Sequence, residues 1–81
     1  MKESEIMVDR FALNMRSIRH QRDLTLKDVA LKTGLAVYKI TAIEKGEKKL
    51  WLCDAIDICK GLEVDLMQML REDIHDPGRY A

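Results

Sequence analysis

Turn-forming residues are scarce in this chain, which has one proline and four glycines in 81 residues. An all-β sandwich needs a turn about every 8–12 residues and repeated alternating β-branched strands, and few such runs occur. Aromatic residues are only 5% of the chain, one Phe, one Trp and two Tyr. Leu, Ile, Val, Met and Ala must therefore form most of a core. Two cysteines, Cys53 and Cys59, are too few for a disulfide scaffold. On one helix they would point to different faces, which fits reduced thiols in a cytoplasmic protein. No apolar stretch approaches the length of a membrane span. The opening Met1-Lys2-Glu3-Ser4-Glu5 is charged and acidic, unlike a signal peptide.

Apolar residues at 47% and charged residues at 35% give the composition of a globular protein. The length suits one small domain, marginal alone and helped by dimerisation. It is too short to enclose a catalytic cleft easily.

The net charge of zero is unevenly spread. Residues 10–49 carry ten bases and four acids, a net of +6, whereas residues 1–9 carry −2 and residues 50–81 carry −4. A basic segment beside an acidic one fits a surface that faces a polyanion, backed by a negative face.

Apolar spacing reads as short helices joined by tight turns. Val8, Phe11, Ala12, Met15 and Ile18 follow helical periodicity, which predicts a first helix over about residues 6–21. Thr25 can cap a second helix, with Asp28 three residues on as in a capping box. That helix stops near Thr33, where Gly34 supplies a left-handed turn residue. A third begins three residues later, anchored by Leu35, Ile40 and Ile43, and ends at Gly46. Residues 47–51 form a loop. A fourth helix spans about Leu52–Leu62, burying Ala55, Ile58, Cys59 and Leu62. Asp65 can cap a fifth that carries Leu66, Met69 and Leu70. Residues 76–81 read as a turn or frayed end.

The informative unit is Thr25–Glu44, two short helices around one glycine turn, the economy of a helix-turn-helix. Arg16-Ser17-Ile18-Arg19, Leu24 to Ala30, Thr33-Gly34-Leu35 and Ile40 to Gly46 together resemble the Cro/repressor-type, or xenobiotic-response-element, helix-turn-helix family. Lys48, Leu52, Ile58, Leu62 and Val64 continue the register, and Leu66 and Leu70 extend it. The resemblance covers about residues 10–70. It implies an all-α, compact five-helix, lambda-repressor-like domain, preceded by residues 1–9 at the start of helix one. A tail, residues 71–81, would follow at a dimer interface.

Site roles follow from that resemblance, residue by residue. Val37, Tyr38, Thr41 and Ala42 occupy the base-reading face of the third helix. Thr25, Lys27, Lys39, Lys45, Lys48 and Lys49 face phosphate. Arg19 and Glu44 pair across helices one and three. Trp51, Leu66, Met67, Leu70 and Ile74 are candidates for a homodimer interface, and Trp51 reads equally as a plug for the core.

Departures from the family pattern sharpen the expectation. Leu26 stands where many members carry a phosphate-binding Gln. Ala36 stands at the cap of helix three, leaving an amide without a side-chain acceptor. Val37 and Ala42 offer base edges only apolar contact, for example to a thymine methyl.

The expected function is sequence-specific binding of double-stranded DNA by a homodimeric bacterial or phage transcriptional regulator, as a repressor on a near-palindromic operator. The alternative is a protein-interaction module, such as an antirepressor, accessory subunit or antitoxin, with weakened readout. No nucleophile–base pair, phosphate loop or carboxylate dyad stands out, so no enzyme activity is expected. His20 and His75 lack metal-ligand spacing with the cysteines, and no metal, cofactor or small-molecule ligand is expected.

Overall fold

Five helices follow one another in the chain: α1 (Glu3–Gln21), α2 (Leu26–Thr33), α3 (Val37–Glu44), α4 (Leu52–Leu62) and α5 (Leu66–Leu70). The computed structural model describes residues 3–47 and 50–71, with side chains from residue 6 onward. Among the described residues there is no strand. No helix there is long and apolar enough to cross a membrane. Helix α1 starts at Glu3, ahead of the expected residue 6, because apolar periodicity marks where a helix packs rather than where it begins.

Each helix gives one face to a single core. Phe11, Met15 and Ile18 come from α1, Val29 from α2, Ile40 and Ile43 from α3. Ala55, Ile58, Cys59 and Leu62 come from α4 and Met69 from α5. Helix α1 packs on α3 and α5, and α2 packs on α3 and α4. Helices α2 and α4 approach closely at Gly61, where a Cβ would lie 2.6 Å from the Lys32 carbonyl oxygen and 2.8 Å from Thr33 Cγ2. The small residue required at this crossing is therefore Gly61, with Ala30 beside the core.

Four helix ends use a left-handed residue to close the last turn, and after α2 it is Gly34. At α3 it is Gly46, as expected, with its N–H on the Ile43 carbonyl and that of Glu47 on Ala42. At α1 and α4 it is not glycine. Asp23 and Glu63 adopt φ of 55° and 56°, and the next residues, Leu24 and Val64, donate back to the Arg19 and Cys59 carbonyls.

Asn14 is fully buried within α1 and ties α5 in place. Its side-chain amide donates to the carbonyl oxygens of Met69 at 2.7 Å, Arg71 at 2.9 Å and Gln68 at 3.3 Å. These carbonyls close a five-residue helix that has too few residues to bond them internally. Arg22 similarly donates through Nη1 to the Leu62 carbonyl at the end of α4.

Candidate nucleic-acid interface

The start of α2 is held by the capping box that the sequence indicates. The Asp28 N–H donates to Thr25 Oγ1 at 3.0 Å, and the Thr25 N–H donates to Asp28 Oδ2 at 2.8 Å. The backbone N–H of Thr25, and then its hydroxyl partner, hold the Asp28 carboxyl below its ordinary pKa. Thr25 and Lys27 are both exposed here.

Between α2 and α3 lie only Gly34, Leu35 and Ala36. Gly34 takes φ 76° and donates its N–H to Ala30. The Thr33 hydroxyl donates to the Val29 carbonyl at 2.8 Å and accepts the Leu35 N–H at 3.3 Å. Leu35 then packs against the core. The Gly34 and Leu35 N–H bonds and the packed Leu35 side chain hold the turn from which α3 leaves.

Ile40, Ile43 and Glu44 are buried, so the opposite face of α3 looks outward. Val37 is 42% exposed and Tyr38 72%, while Thr41 and Ala42 are half-buried. The Thr41 hydroxyl donates to the Val37 carbonyl at 2.9 Å. Its proton is thereby committed within the helix, and it can offer a base only lone pairs and a methyl group. Ala36 makes no side-chain cap, so the positive end of α3 reaches the surface without a local acceptor from that residue. The outward face is thus two methyl-bearing side chains, one phenol and one hydroxyl acceptor, which favours contact with thymine methyls and amino donors.

From behind, α3 is clamped to α1. Arg19 donates through Nε to Glu44 Oε2 at 2.7 Å and through Nη2 to Oε1 at 3.0 Å, a two-point pair. Arg19 Nη1 also donates to the Leu24 carbonyl at 3.1 Å, and Arg16 reaches the Glu44 carbonyl at 3.3 Å. Arg19 is thereby neutralised by Glu44, whereas Arg16 is exposed and meets only the neutral Glu44 carbonyl.

Lys39 is the expected phosphate contact that the structure turns elsewhere. Its ammonium lies 3.2 Å from both carboxylate oxygens of Asp54, in the first turn of α4. The lysine side chain is 27% exposed and the aspartate 6%. A carboxylate that deep requires a counter-charge, and Lys39 supplies it. Lys45 remains exposed beside the end of α3. Lys48 and Lys49 lie outside the described residues.

The candidate dimer residues divide. Trp51 and Met67 are exposed, whereas Leu66 and Leu70 are partly buried and pack against the core. Ile74 lies outside the described residues. Sequence reading passed over Leu52 and Ile56, which are exposed one turn apart on α4. Their i, i+4 spacing, on the flank next to Ala55 and Cys59, was the available signal. Ile56 borders a shallow groove between α4 and α5, with Val64 and Leu66.

Cys53 is exposed and Cys59 buried, and burial pushes the Cys59 thiol up. Among the described residues no group of three or more His, Cys, Asp or Glu side chains could hold a metal ion.

No protein-family model matches the chain. Over 56 residues it is 38% identical to a monooxygenase, PC-14, of Penicillium crustosum. That segment is 69% of this chain but 9% of the fungal protein. Solved structures match far more completely. The restriction-modification controller protein C.Esp1396I superposes with a TM-score of 0.72 at 28% identity, over 79% of this chain and 87% of that one. A point variant of the same controller gives 0.74 at 28% identity, over 85% and 96%. The controller protein C.AhdI of Aeromonas hydrophila gives 0.72 at 18% identity, over 76% and 94%. The fold is the compact five-helix helix-turn-helix domain of these controller proteins, and α2 and α3 are its helix-turn-helix pair.

Proposed function

We propose that the chain is a DNA-binding transcriptional regulator of the controller type, acting as a homodimer on a near-palindromic operator and repressing from it. The observation that carries this is α3 itself. It is a rigid helix, held from behind by Ile40, Ile43 and the Arg19–Glu44 pair, with Val37, Tyr38, Thr41 and Ala42 turned outward. Set in a fold shared with controller proteins at 28% identity, that is the arrangement for inserting a recognition helix into the major groove. Thr25, Lys27 and Lys45 flank α3 in this reading, with Lys48 and Lys49 following it, and meet phosphate. Base edges are read mainly through methyl groups and the Tyr38 phenol, with DNA shape adding to the preference.

A second reading rests on the same face. It presents no amide or guanidinium side chain, and Leu31 on the neighbouring α2 is 77% exposed. A module that grips another protein would use such a surface. In-vitro selection from random duplexes at about 0.15 M salt separates the two, because non-specific attraction is damped there. Enrichment of a near-palindrome with half-sites about 10 base pairs apart supports the operator-binding dimer. Absence of enrichment, with binding that vanishes as salt rises, overturns it in favour of the interaction module.

A further inference from the structure

We propose that Asp54 withholds the charge of Lys39 from DNA, making Asp54 a positioning residue of the recognition helix. The inference rests on the DNA-binding reading and goes beyond it by removing one cation from the contact set. Lys39 lies in the first turn of α3, between the outward Tyr38 and the buried Ile40, so its backbone position would let a long side chain reach phosphate. Instead the ammonium bridges to α4 and sits equidistant, at 3.2 Å, from both Asp54 oxygens. Moving Lys39 to phosphate would leave Asp54, 4% exposed, as a buried carboxylate without that cation. The pair therefore persists as the protein approaches a duplex.

Two consequences follow. The first turn of α3 is tied to the first turn of α4, as its last turn is tied to α1 by Arg19 and Glu44, so the readout helix is fixed at both ends. The phosphate attraction near Val37 and Tyr38 is also weakened. Phosphate contacts carry no sequence information, so a cation kept out of them lowers binding to every duplex alike and leaves the ratio of operator to random affinity unchanged.

The test is the salt dependence of duplex binding by the full chain, with Asp54→Asn, Lys39→Gln and the double variant beside the wild type. Asn keeps the shape of Asp54 while releasing the lysine. Each cation added to the phosphate contacts steepens the slope of log K against log salt by about 0.9. Asp54→Asn is expected to show that steepening, with tighter binding to operator and to random-sequence duplex alike. The double variant is expected to return to the wild-type slope, and Lys39→Gln alone to keep it. An unchanged slope in folded Asp54→Asn overturns the inference, as does a shallower slope in Lys39→Gln. Lys39→Gln decides by itself if Asp54→Asn does not fold. A wild-type protein with no salt-dependent duplex binding overturns the DNA-binding reading and this inference together, which separates the two failures.

Discussion

Tyr38 and Asn14 show how differently two side chains on neighbouring helices can matter. Tyr38 is 72% exposed, and its ring is the largest outward group of α3. Tyr38→Ala should leave stability nearly unchanged and relax sequence preference, by about tenfold if one good base contact is lost. Competitive binding of operator and random duplex measures this, and an equal loss on both sequences would remove Tyr38 from the base-reading set. Asn14 has the opposite profile. It is 1% exposed and is the side-chain donor shared by three carbonyls at the end of α5. Asn14→Ala strands those acceptors in a place water reaches poorly, at about 1–3 kcal/mol for a buried group left unsatisfied. Urea denaturation should show that loss, and hydrogen exchange should place the opening in α5. Asn14 escaped sequence reading for a physical reason. Its acceptors are backbone atoms more than fifty residues away, and no side-chain pattern announces them.

Helix ends explain most of what could and could not be read in advance. The Thr25–Asp28 box, Gly34 and Gly46 were legible because each is a residue type with a preferred backbone role. Asp23 and Glu63 were not, because the same left-handed position is filled by residues that tolerate it only at a cost. Glu63→Gly should therefore stabilise the protein by about 0.5–1 kcal/mol in chemical denaturation, provided the terminus keeps its present geometry. Gly61→Ala, two residues earlier, should do the reverse. Its new methyl would meet the Lys32 carbonyl at 2.6 Å, and backbone cannot rotate away as a side chain can. An overpacking loss of about 1–3 kcal/mol is expected, with α2 pushed off α4. The Lys39–Asp54 pair went unread for a related reason, since the carboxylate stands fifteen residues later on another helix. The Thr25–Asp28 box also predicts a pH effect. The folded pKa of Asp28 is depressed, so its contribution is present above the ordinary carboxylate pKa and is lost as pH falls through the folded value. Protection of the amides at the start of α2, relative to their intrinsic exchange, should fall below about pH 4. Asp28→Asn should weaken protection at neutral pH and remove that acid dependence.

Two properties of the molecule converge on α4 and α5 as the place where a second copy would sit. A chain of 81 residues buries a modest core, and the described part of this one leaves Trp51, Leu52, Ile56 and Met67 exposed along or beside those two helices. The base-reading residues belong to α3, and the groove beside Ile56 and Leu66 is formed by α4 and α5. A two-fold axis through that groove would present two copies of α3 to one duplex, and half-sites about one helical turn apart would then follow from the protein's own symmetry. Met67 tests this directly, being 73% exposed in the single chain, with little to lose there on substitution. Met67→Lys places an exposed ammonium on the monomer but buries it twice in a symmetric dimer. Losing about 1.5 kcal/mol of apolar burial from each copy corresponds to a dimer dissociation constant raised about 100-fold. Sedimentation equilibrium should show that shift, while Leu31→Lys, on exposed α2, should leave the dimer intact. Operator affinity should fall with dimerisation in Met67→Lys, and non-specific duplex binding per chain should not. A wild-type chain that stays monomeric at high micromolar concentration, or a dimer indifferent to Met67→Lys and sensitive to Leu31→Lys, would move the interface off α4 and α5 and with it the spacing expected of the operator.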